Sequence, residues 1–192
     1  MKLLDPIVLA IPRGGVVVGY EIAKRIGCPL DVIIPRKVGA PFDPELAVGA
    51  VTEDGTLYIN EKICTVYGIS KSYLQSESRA QVQEIMRRAE LYRKGTRSIN
   101  TAAKTVILVD DGIATGATMR AAIMSVKKNS SKAIIVAVPV GAKETVDDLK
   151  KDVEVVALHA PKDMGGVGEF YRNFEQISDQ EVIKLLENCR SA

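Results

Sequence analysis

Short apolar runs alternate along this chain with segments whose apolar residues recur every three or four positions. The runs that predict β-strands are PIVLAI, PLDVIIP, TVILVD, AIIVAVPV and VEVVALHA, and those that predict helices are VVVGYEIAKRIG, ATMRAAIMSVKKN and KETVDDLKK. This alternation is typical of an α/β fold, an open, mostly parallel twisted sheet with helices on both faces. Because VILV, IIVAV and VEVVAL are almost continuously apolar, we expect both faces of those strands to be buried.

Residues 38–68 break this alternation. Glycine and proline punctuate the segment VGAPFDPELAVGA that begins there, and the stretch EDGT has the composition of a turn. We therefore expect a hairpin or a flexible loop at about residues 38–68, within a single domain that spans residues 1–192.

The longest helical periodicity lies in residues 69–94. Its apolar stripe consists of Ile69, Tyr73, Leu74, Val82, Ile85, Met86, Ala89 and Tyr92. On the polar side, the spacing predicts ion pairs from Glu84 to Arg88 and from Glu90 to Lys94. A solvated surface is favoured over phosphate binding for the basic residues Arg87, Arg88, Arg93 and Lys94.

The composition narrows the class of protein. The chain has 192 residues, of which 46% are hydrophobic and 26% charged, as in one globular domain. No apolar stretch approaches the ~20 residues that a membrane span needs, and we predict no signal peptide, because the N-terminal run lacks a small-residue cleavage site. A net charge of +2 indicates neither a nucleic-acid nor a membrane partner. Three isolated cysteines fit a reducing cytoplasm, where we expect the protein to reside.

The segment VILVDDGIATGAT, residues 106–118, has the clearest chemistry. An apolar strand ends in Asp110 and Asp111, and a turn rich in glycine and threonine then opens a helix. Free N–H groups and the dipole of a helix N-terminus bind phosphate, which we expect at Thr115, Gly116, Ala117 and Thr118. Carboxylates would repel that phosphate, so Asp110 and Asp111 are better suited to accept hydrogen bonds from a vicinal diol. A diol beside a phosphate indicates ribose 5-phosphate, with an ordinary strand and capped helix as the alternative.

Other anion-binding candidates follow the first two predicted strands. Arg13 precedes Gly14 and Gly15 in the loop PRGG, where a guanidinium and exposed N–H groups suit a diphosphate, although a glycine turn with a surface arginine remains open. Arg36 and Lys37 end the second predicted strand. We expect both to converge on the same crevice and neutralise a leaving diphosphate, with ordinary strand-end charges as the alternative.

These residues resemble the type I phosphoribosyltransferases, whose signature is an apolar strand, two acids and a T-G-x-T loop, matched here by DDGIATGAT. The similarity extends over nearly the whole chain to a subgroup known only as predicted phosphoribosyltransferases. The segments that carry it are LAIPRGGV, RKVGAP, PELAVGAV and FYRNF followed by SDQEV. The resemblance implies the fold of that family, with a mobile loop at 38–68 and a hood at about 160–192. Members have a longer helix before the first strand, so we expect either that part of that cap is missing here or that the true start codon differs from the one that gives Met1.

The resemblance also implies a substrate site for 5-phosphoribosyl 1-diphosphate (PRPP). Asp110 and Asp111 would bind the ribose hydroxyls, and residues 114–118 would hold the 5-phosphate. The predicted substrate-binding set is Arg13, Gly14, Gly15, Arg36, Lys37, Asp110, Asp111, Gly112, Ala114, Thr115, Gly116, Ala117 and Thr118. Asp110, Asp111, Arg13 and Lys37 are the predicted catalytic residues. We expect Mg²⁺ to be bound mainly through PRPP, no dedicated protein metal site, and a homodimer.

The C-terminal region offers further candidates. Phe170, Tyr171 and Phe174 could stack on a planar base, as the hood of the family does, or pack the last helix. That helix is predicted to begin at Ser178, because Ser178 and Glu181 have the spacing of a capping box. His159 is the only histidine and ends a predicted strand, and we expect it to be structural rather than catalytic.

The predicted reaction is transfer of the 5-phosphoribosyl group of PRPP to a nitrogen nucleophile. Enzymes that resemble hypoxanthine-guanine phosphoribosyltransferase have an aspartate where this chain has Ala114, so we expect a nucleobase other than a 6-oxopurine. The alternative is a regulatory module that senses PRPP or a nucleotide without transfer.

Overall fold

The structure, a computed structural model, describes residues 4–190. In chain order its elements are β1 (Pro6–Ala10), α1 (Gly14–Ile26), β2 (Leu30–Val32), β3 (Arg36–Ala40), β4 (Asp43–Val51), β5 (Leu57–Ile59), α2 (Glu61–Val66), α3 (Lys71–Arg93), β6 (Thr105–Val109), α4 (Ala117–Lys128), β7 (Ala133–Val140), α5 (Lys143–Leu149), β8 (Glu154–His159), a 3-10 turn (Val167–Phe170) and α6 (Asp179–Arg190).

Five of the strands form a parallel sheet in the order β2-β1-β6-β7-β8. Alternate side chains of a strand point to opposite faces, so Val8 and Val109 pack in one core while Ile7 and Leu108 pack in the other. Residues of α1 and α6 fill the first core, and residues of α4 fill the second. This is the predicted α/β architecture, an open parallel sheet with helices on both faces.

The prediction that β8 is buried on both faces is wrong. β8 is an edge strand, and the side chains of Val156 and Leu158 are 48% and 83% exposed. An edge strand has a neighbour on one side only, and the apolar composition that suggested a central strand does not distinguish the two positions.

Residues 36–59 form a second, three-stranded antiparallel sheet in the order β3-β4-β5. The predicted EDGT turn lies between β4 and β5, where Gly55 has a φ of 76°. Ala50 of this sheet packs against Ala117 and Ala121 of α4. The small sheet is therefore seated on the helix that follows the DDGIATGAT segment.

α3 uses most of its predicted apolar stripe in the core, with Met86 as an exception at 54% exposure. The predicted pair of Glu84 with Arg88 is present at 2.9 Å. The predicted pair of Glu90 with Lys94 is wrong, because the Lys94 ammonium bonds a carboxylate oxygen of Glu187 on α6 at 2.6 Å. The i,i+4 spacing considers residues of one helix only, so it cannot predict an ion pair with a residue of another helix.

Arg93 also differs from the prediction of a solvated side chain. It is 6% exposed, and its Nη1 donates to both carboxylate oxygens of Glu53 at 2.8 and 2.7 Å. Its Nε lies 3.4 Å from the carboxylate of Asp31, and its Nη2 donates to the Val32 carbonyl at 3.0 Å. This cluster joins the parallel sheet, the small sheet and α3.

The predicted capping box at the start of α6 is confirmed. The Ser178 amide donates to the Glu181 carboxylate at 2.9 Å, and the Glu181 amide donates to the Ser178 hydroxyl at 3.2 Å. Within residues 4–190, no helix combines the length and the hydropathy needed to cross a membrane.

Candidate functional site

The carboxyl ends of β1 and β6 place two loops side by side. The strands pair in register up to Ala10 and Val109, and the Ile11 amide extends the pairing by donating to the Val109 carbonyl at 2.8 Å. The PRGG loop after β1 is thereby laid against Asp110 and Asp111 after β6. Carboxyl ends of parallel strands are the usual place for ligands in open α/β sheets.

The glycines of the PRGG loop permit this contact. A Cβ at Gly14 would lie 1.8 Å from Oδ2 of Asp111, and one at Gly15 would lie 2.8 Å from Cα of Asp110. The peptide bond between Pro12 and Arg13 is cis. The sequence predicted these glycines as phosphate-binding groups, and the structure shows that they also leave room for the two acids.

The electrostatics of the acid pair are unusual. Burial raises the pKa of Asp110 well above its ordinary value, and the adjacent Asp111 carboxylate raises it further. Burial also raises the pKa of Asp111. The Asp111 amide donates to Oδ1 of Asp110 at 2.9 Å. Because two neighbouring carboxylates disfavour joint ionisation, ligand groups that donate hydrogen bonds or carry positive charge would stabilise the ionised pair.

The loop before α4, predicted to bind a phosphate, ends in a glycine at the helix N-terminus. Gly116 is the N-cap residue of α4 with a φ of 77°, which glycine adopts without strain. The loop is fixed by the Ile113 amide, which donates to the Val140 carbonyl at 3.0 Å, and by the Thr145 hydroxyl, which donates to the Ala114 carbonyl at 2.7 Å. The first amides of α4 have no partner within the helix and so remain available to an anion.

A cavity of about 200 Å³ opens in front of this loop. Its lining includes these residues from the predicted set: Lys37, Asp110, Gly112, Ala114, Thr115, Gly116 and Thr118. We call it the phosphate-loop cavity. It brings Asp110 of the predicted diol pair together with most of the predicted 5-phosphate residues and adds Lys37 from the small sheet, whereas Asp111 and Ala117 do not line it.

A second cavity, of about 580 Å³, is lined by Asp111, whereas the phosphate-loop cavity is lined by Asp110. Arg13, Gly14 and Asp111 line the second cavity together with the aromatic side chains of Tyr171 and Phe174, and we call it the aromatic cavity. The two rings are 5.0 Å apart. The sequence singled out both the PRGG loop and the aromatic cluster, but did not predict that they share a cavity.

Several contacts of this site were not predicted. The Tyr171 hydroxyl donates to the backbone carbonyl of Asp111 at 2.6 Å, and a Cβ at Gly112 would lie 2.5 Å from the Val167 side chain. Arg13 Nη1 lies 3.9 Å from the carboxylate of Asp179 at the start of α6. The FYRNF motif was the available signal for Tyr171, whereas the contacts of Val167 and Asp179 depend on tertiary packing alone.

Arg36 and Lys37 do not end a strand of the parallel sheet, as predicted, but begin β3 of the small sheet. Lys37 reaches the phosphate-loop cavity. Arg36 does not converge on it, because its Nε donates to Oε1 of Gln81 on α3 at 2.5 Å. Neighbouring side chains of a strand point in different directions, which separates two residues that the sequence places together.

His159 lies at the exposed end of β8, where its ring is 5.4 Å from that of Phe170. It lines neither of the two cavities described above.

The fold and the site together define an α/β protein that presents an acid pair and a glycine- and threonine-rich loop, which opens a helix, at the carboxyl edge of its sheet. Residues 3–171 match the phosphoribosyl transferase domain, and the chain belongs to this family. It is 43% identical to TT1426 from Thermus thermophilus, whose crystal structure superposes with a TM-score of 0.82 over 97% of this chain and 89% of that one.

Two curated relatives from strains of Mycobacterium tuberculosis are each 41% identical over 184 residues. They are named "Putative phosphoribosyl transferase MT0597" and "Putative phosphoribosyl transferase Rv0571c". The matched region is 95% of this chain but 42% of each relative, so the chain spans less than half the length of these proteins.

Proposed function

We propose that this site transfers the 5-phosphoribosyl group of PRPP to a nitrogen atom of an acceptor and releases pyrophosphate. The observation that supports this proposal is that the acid pair adjoins two candidate anion-binding loops. Gly14 of the PRGG loop abuts Asp111, and the loop before α4 begins at the residue after Asp111. PRPP has a diol flanked by a phosphate and a diphosphate, which is the order of groups that this junction can bind.

In the proposed complex, the 5-phosphate occupies the phosphate-loop cavity. The amides of residues 115–118 and the N-terminus of α4 bind it, and the Lys37 ammonium neutralises part of its charge. The ribose hydroxyls donate to Asp110 and Asp111. The diphosphate lies against the PRGG loop, where Arg13 supplies a guanidinium.

The reaction breaks the bond between C1 of the ribose and the diphosphate oxygen, and the electron pair leaves with pyrophosphate. The acceptor nitrogen forms the new bond to C1, and its proton passes to solvent. Positive charge develops on the ribose ring, so the ionised carboxylates of Asp110 and Asp111 are placed to stabilise it. The protein otherwise aligns the two substrates, and its chemistry requires no covalent nucleophile.

The residues of the site fit a magnesium ion that arrives with PRPP. Mg²⁺ is commonly bound by one or two carboxylates together with substrate phosphates. PRPP would supply most of the oxygen ligands of the ion, and the adjacent carboxylates of Asp110 and Asp111 would act on it through the ribose hydroxyls that they accept from. When bound, the ion would offset negative charge on the diphosphate.

The aromatic cavity is the proposed acceptor site. Tyr171 and Phe174 present rings to a space of about 580 Å³, which accommodates a planar nucleobase. Ala114 offers no carboxylate to a purine ring nitrogen, so a nucleobase other than a 6-oxopurine is proposed as the acceptor.

The test is pyrophosphate release from PRPP and Mg²⁺ with a panel of nucleobases. Release with at least one base is expected, and the double substitution of Asp110→Asn with Asp111→Asn should abolish both release and PRPP binding. Saturable PRPP binding without release from any base would contradict transfer and favour a sensor. Unchanged PRPP affinity in the double variant would contradict the assignment of the acids to the ribose.

Arg13→Ala tests the diphosphate assignment separately. The variant should bind PRPP about tenfold to a hundredfold more weakly, which is the range for a charge-assisted hydrogen bond, and should bind ribose 5-phosphate as the wild type does. Equal losses for the two ligands would place Arg13 away from the diphosphate. Arg25→Ala is the matched control, because Arg25 is an exposed arginine in the last turn of α1, the helix that follows Arg13.

A further inference from the structure

A third cavity, of about 520 Å³, lies between the small sheet and α3, and we call it the α3 cavity. Lys37 and Thr118 line both the α3 cavity and the phosphate-loop cavity, so the two adjoin. Arg36 and Arg88 line the α3 cavity alone. None of the residues that line the aromatic cavity lines this one.

The guanidinium of Arg36 is held through one nitrogen. Its Nε donates to Gln81 Oε1 at 2.5 Å, and the Gln81 amide nitrogen donates in turn to Glu77 at 2.7 Å. The carboxylate of Glu84 lies 4.0 Å from Nη1, beyond hydrogen-bond distance. Within residues 4–190, the two terminal nitrogens of Arg36 therefore have no hydrogen-bond acceptor.

Arg88 is held in the same way. Its Nε donates to Glu84 at 2.9 Å, and that carboxylate also accepts from Nε and Nη2 of Arg87 at 2.8 and 2.9 Å. The terminal nitrogens of Arg88, like the ammonium of Lys37, have no acceptor in the described part of the chain. Two guanidinium groups are thus oriented by their Nε atoms and keep their terminal donors free.

The α3 cavity is lined by three cationic side chains, and Glu84 offsets part of their charge from 2.9 Å at Arg88 Nε and 4.0 Å at Arg36 Nη1. Its lining has the cationic side chains of Arg36, Lys37 and Arg88 against the carboxylates of Glu45 and Glu77. Burial lowers the pKa of Arg36 and the charge of Arg88 lowers it further, whereas the carboxylates of Glu84 and Glu77 raise it. Like charges that face one cavity repel each other, and an anion between them would remove that repulsion.

From this arrangement we propose that the α3 cavity is a second anion subsite that binds a phosphate group beside the one in the phosphate loop. Forked guanidinium groups match the oxygens of a phosphate, and two of them converge here with a lysine and the Thr118 hydroxyl. The group is either a free inorganic phosphate or the second phosphate of a ligand anchored in the phosphate loop. The subsite rests on the proposed function only in taking that loop to bind phosphate.

The first test is isothermal titration calorimetry at low salt. Inorganic phosphate is titrated into the protein after ribose 5-phosphate has saturated the phosphate loop. The double variant R36Q/R88Q should bind inorganic phosphate at least about tenfold more weakly than the wild type, because two charge-assisted contacts are lost. R87Q removes a neighbouring arginine that shares Glu84 but does not line the cavity, and it should bind within about twofold of the wild type.

The second test covers a linked phosphate, by comparing ADP with AMP. If the second phosphate of ADP enters the subsite, ADP should bind more tightly than AMP to the wild type and to R87Q, and R36Q/R88Q should lose the difference. Either the free or the linked result supports the subsite. If R36Q/R88Q equals the wild type with both probes, or if neither probe shows a second phosphate site, the subsite is overturned.

Two controls keep the outcomes separate. Unchanged ribose 5-phosphate binding shows that R36Q/R88Q is folded. If the double variant does not fold, the single variants R36Q and R88Q are used in its place. Pyrophosphate release by the wild type reports the proposed function independently. Release without a second phosphate site overturns the subsite alone, whereas a second site without release overturns the transfer alone.

Discussion

Gly14 and Asp111 follow two neighbouring strands, β1 and β6, and meet so closely that a Cβ at Gly14 would lie 1.8 Å from a carboxylate oxygen of Asp111. The contact joins the proposed diphosphate loop to the proposed ribose site. Gly14→Ala should therefore displace the acid pair and weaken PRPP binding by at least about tenfold, with about 1–3 kcal/mol lost from the free energy of unfolding through overpacking.

Isothermal titration and denaturant unfolding measure these two effects. Gly166→Ala is the matched control, because its backbone is extended and a Cβ there would meet no atom within 4 Å. The close contact is refuted if Gly14→Ala and Gly166→Ala behave alike.

Asp110 should make stability depend on pH. Its folded-state pKa is raised, mainly by burial, so the folded carboxyl keeps its proton at pH values where the unfolded carboxyl, with a pKa of about 3.9, has lost it. The wild type should lose stability as the pH rises from about 4 through the raised pKa, and the penalty should persist above that value. Asp110→Asn cannot ionise and should therefore melt at a higher temperature than the wild type at pH 8, but not at pH 4.

Thermal unfolding followed by circular dichroism at several pH values measures the difference. Asp147→Asn provides the contrast, because a hydrogen bond from Lys143 lowers the pKa of this surface carboxyl. It should show no gain in stability as the pH rises. A melting-temperature difference for Asp110→Asn that stays constant from pH 4 to pH 8 would contradict a raised pKa.

Tyr171 should act as a positioning residue for Asp111. Tyr171→Phe keeps the ring beside Phe174 but removes the hydroxyl that donates to the Asp111 carbonyl at 2.6 Å. Loss of one such hydrogen bond corresponds to about 1 kcal/mol, so the affinity for PRPP should fall about fivefold. Direct PRPP binding is the measurement, and Tyr67→Phe, an exposed tyrosine that stacks on Phe42, is the control. Unchanged affinity in Tyr171→Phe would leave its hydroxyl without a positioning role.

Arg93 should contribute to stability through the cluster with Asp31 and Glu53. Arg93→Met keeps an apolar stem of similar length but leaves the Asp31 carboxylate, which is 1% exposed, without its cation. Breaking a buried pair in this way costs about 3–5 kcal/mol of unfolding free energy, measurable by urea denaturation. Arg79→Met, at an exposed position of the same helix, should change stability by less than about 0.5 kcal/mol. Equal effects of the two substitutions would show that the cluster adds no stability.

The sequence predicted the elements whose signals are local. The strand, acids and loop of residues 106–118 lie within one segment, and so do the apolar period of α1 and the capping box of Ser178 and Glu181. Each of these features depends on the spacing of residues that are close in the sequence, which can be read directly from the chain. The order of residues was therefore sufficient to predict the α/β architecture and the position of the acid pair at the end of a strand.

Other features depend on which segments meet. The burial of Arg93 requires Asp31 and Glu53, which lie 62 and 40 residues away along the chain. The separation of Arg36 from Lys37, the exposure of β8 and the contact of Tyr171 with Asp111 likewise depend on packing between distant elements. By itself, the sequence determined the repeating elements and the order of strand, acid pair, glycine- and threonine-rich turn and helix in residues 106–118, because these are set by short-range periodicity and backbone geometry. Only the tertiary structure decided which charges are buried or paired and how the cavities adjoin, because those properties depend on distances between atoms that the order of residues does not specify.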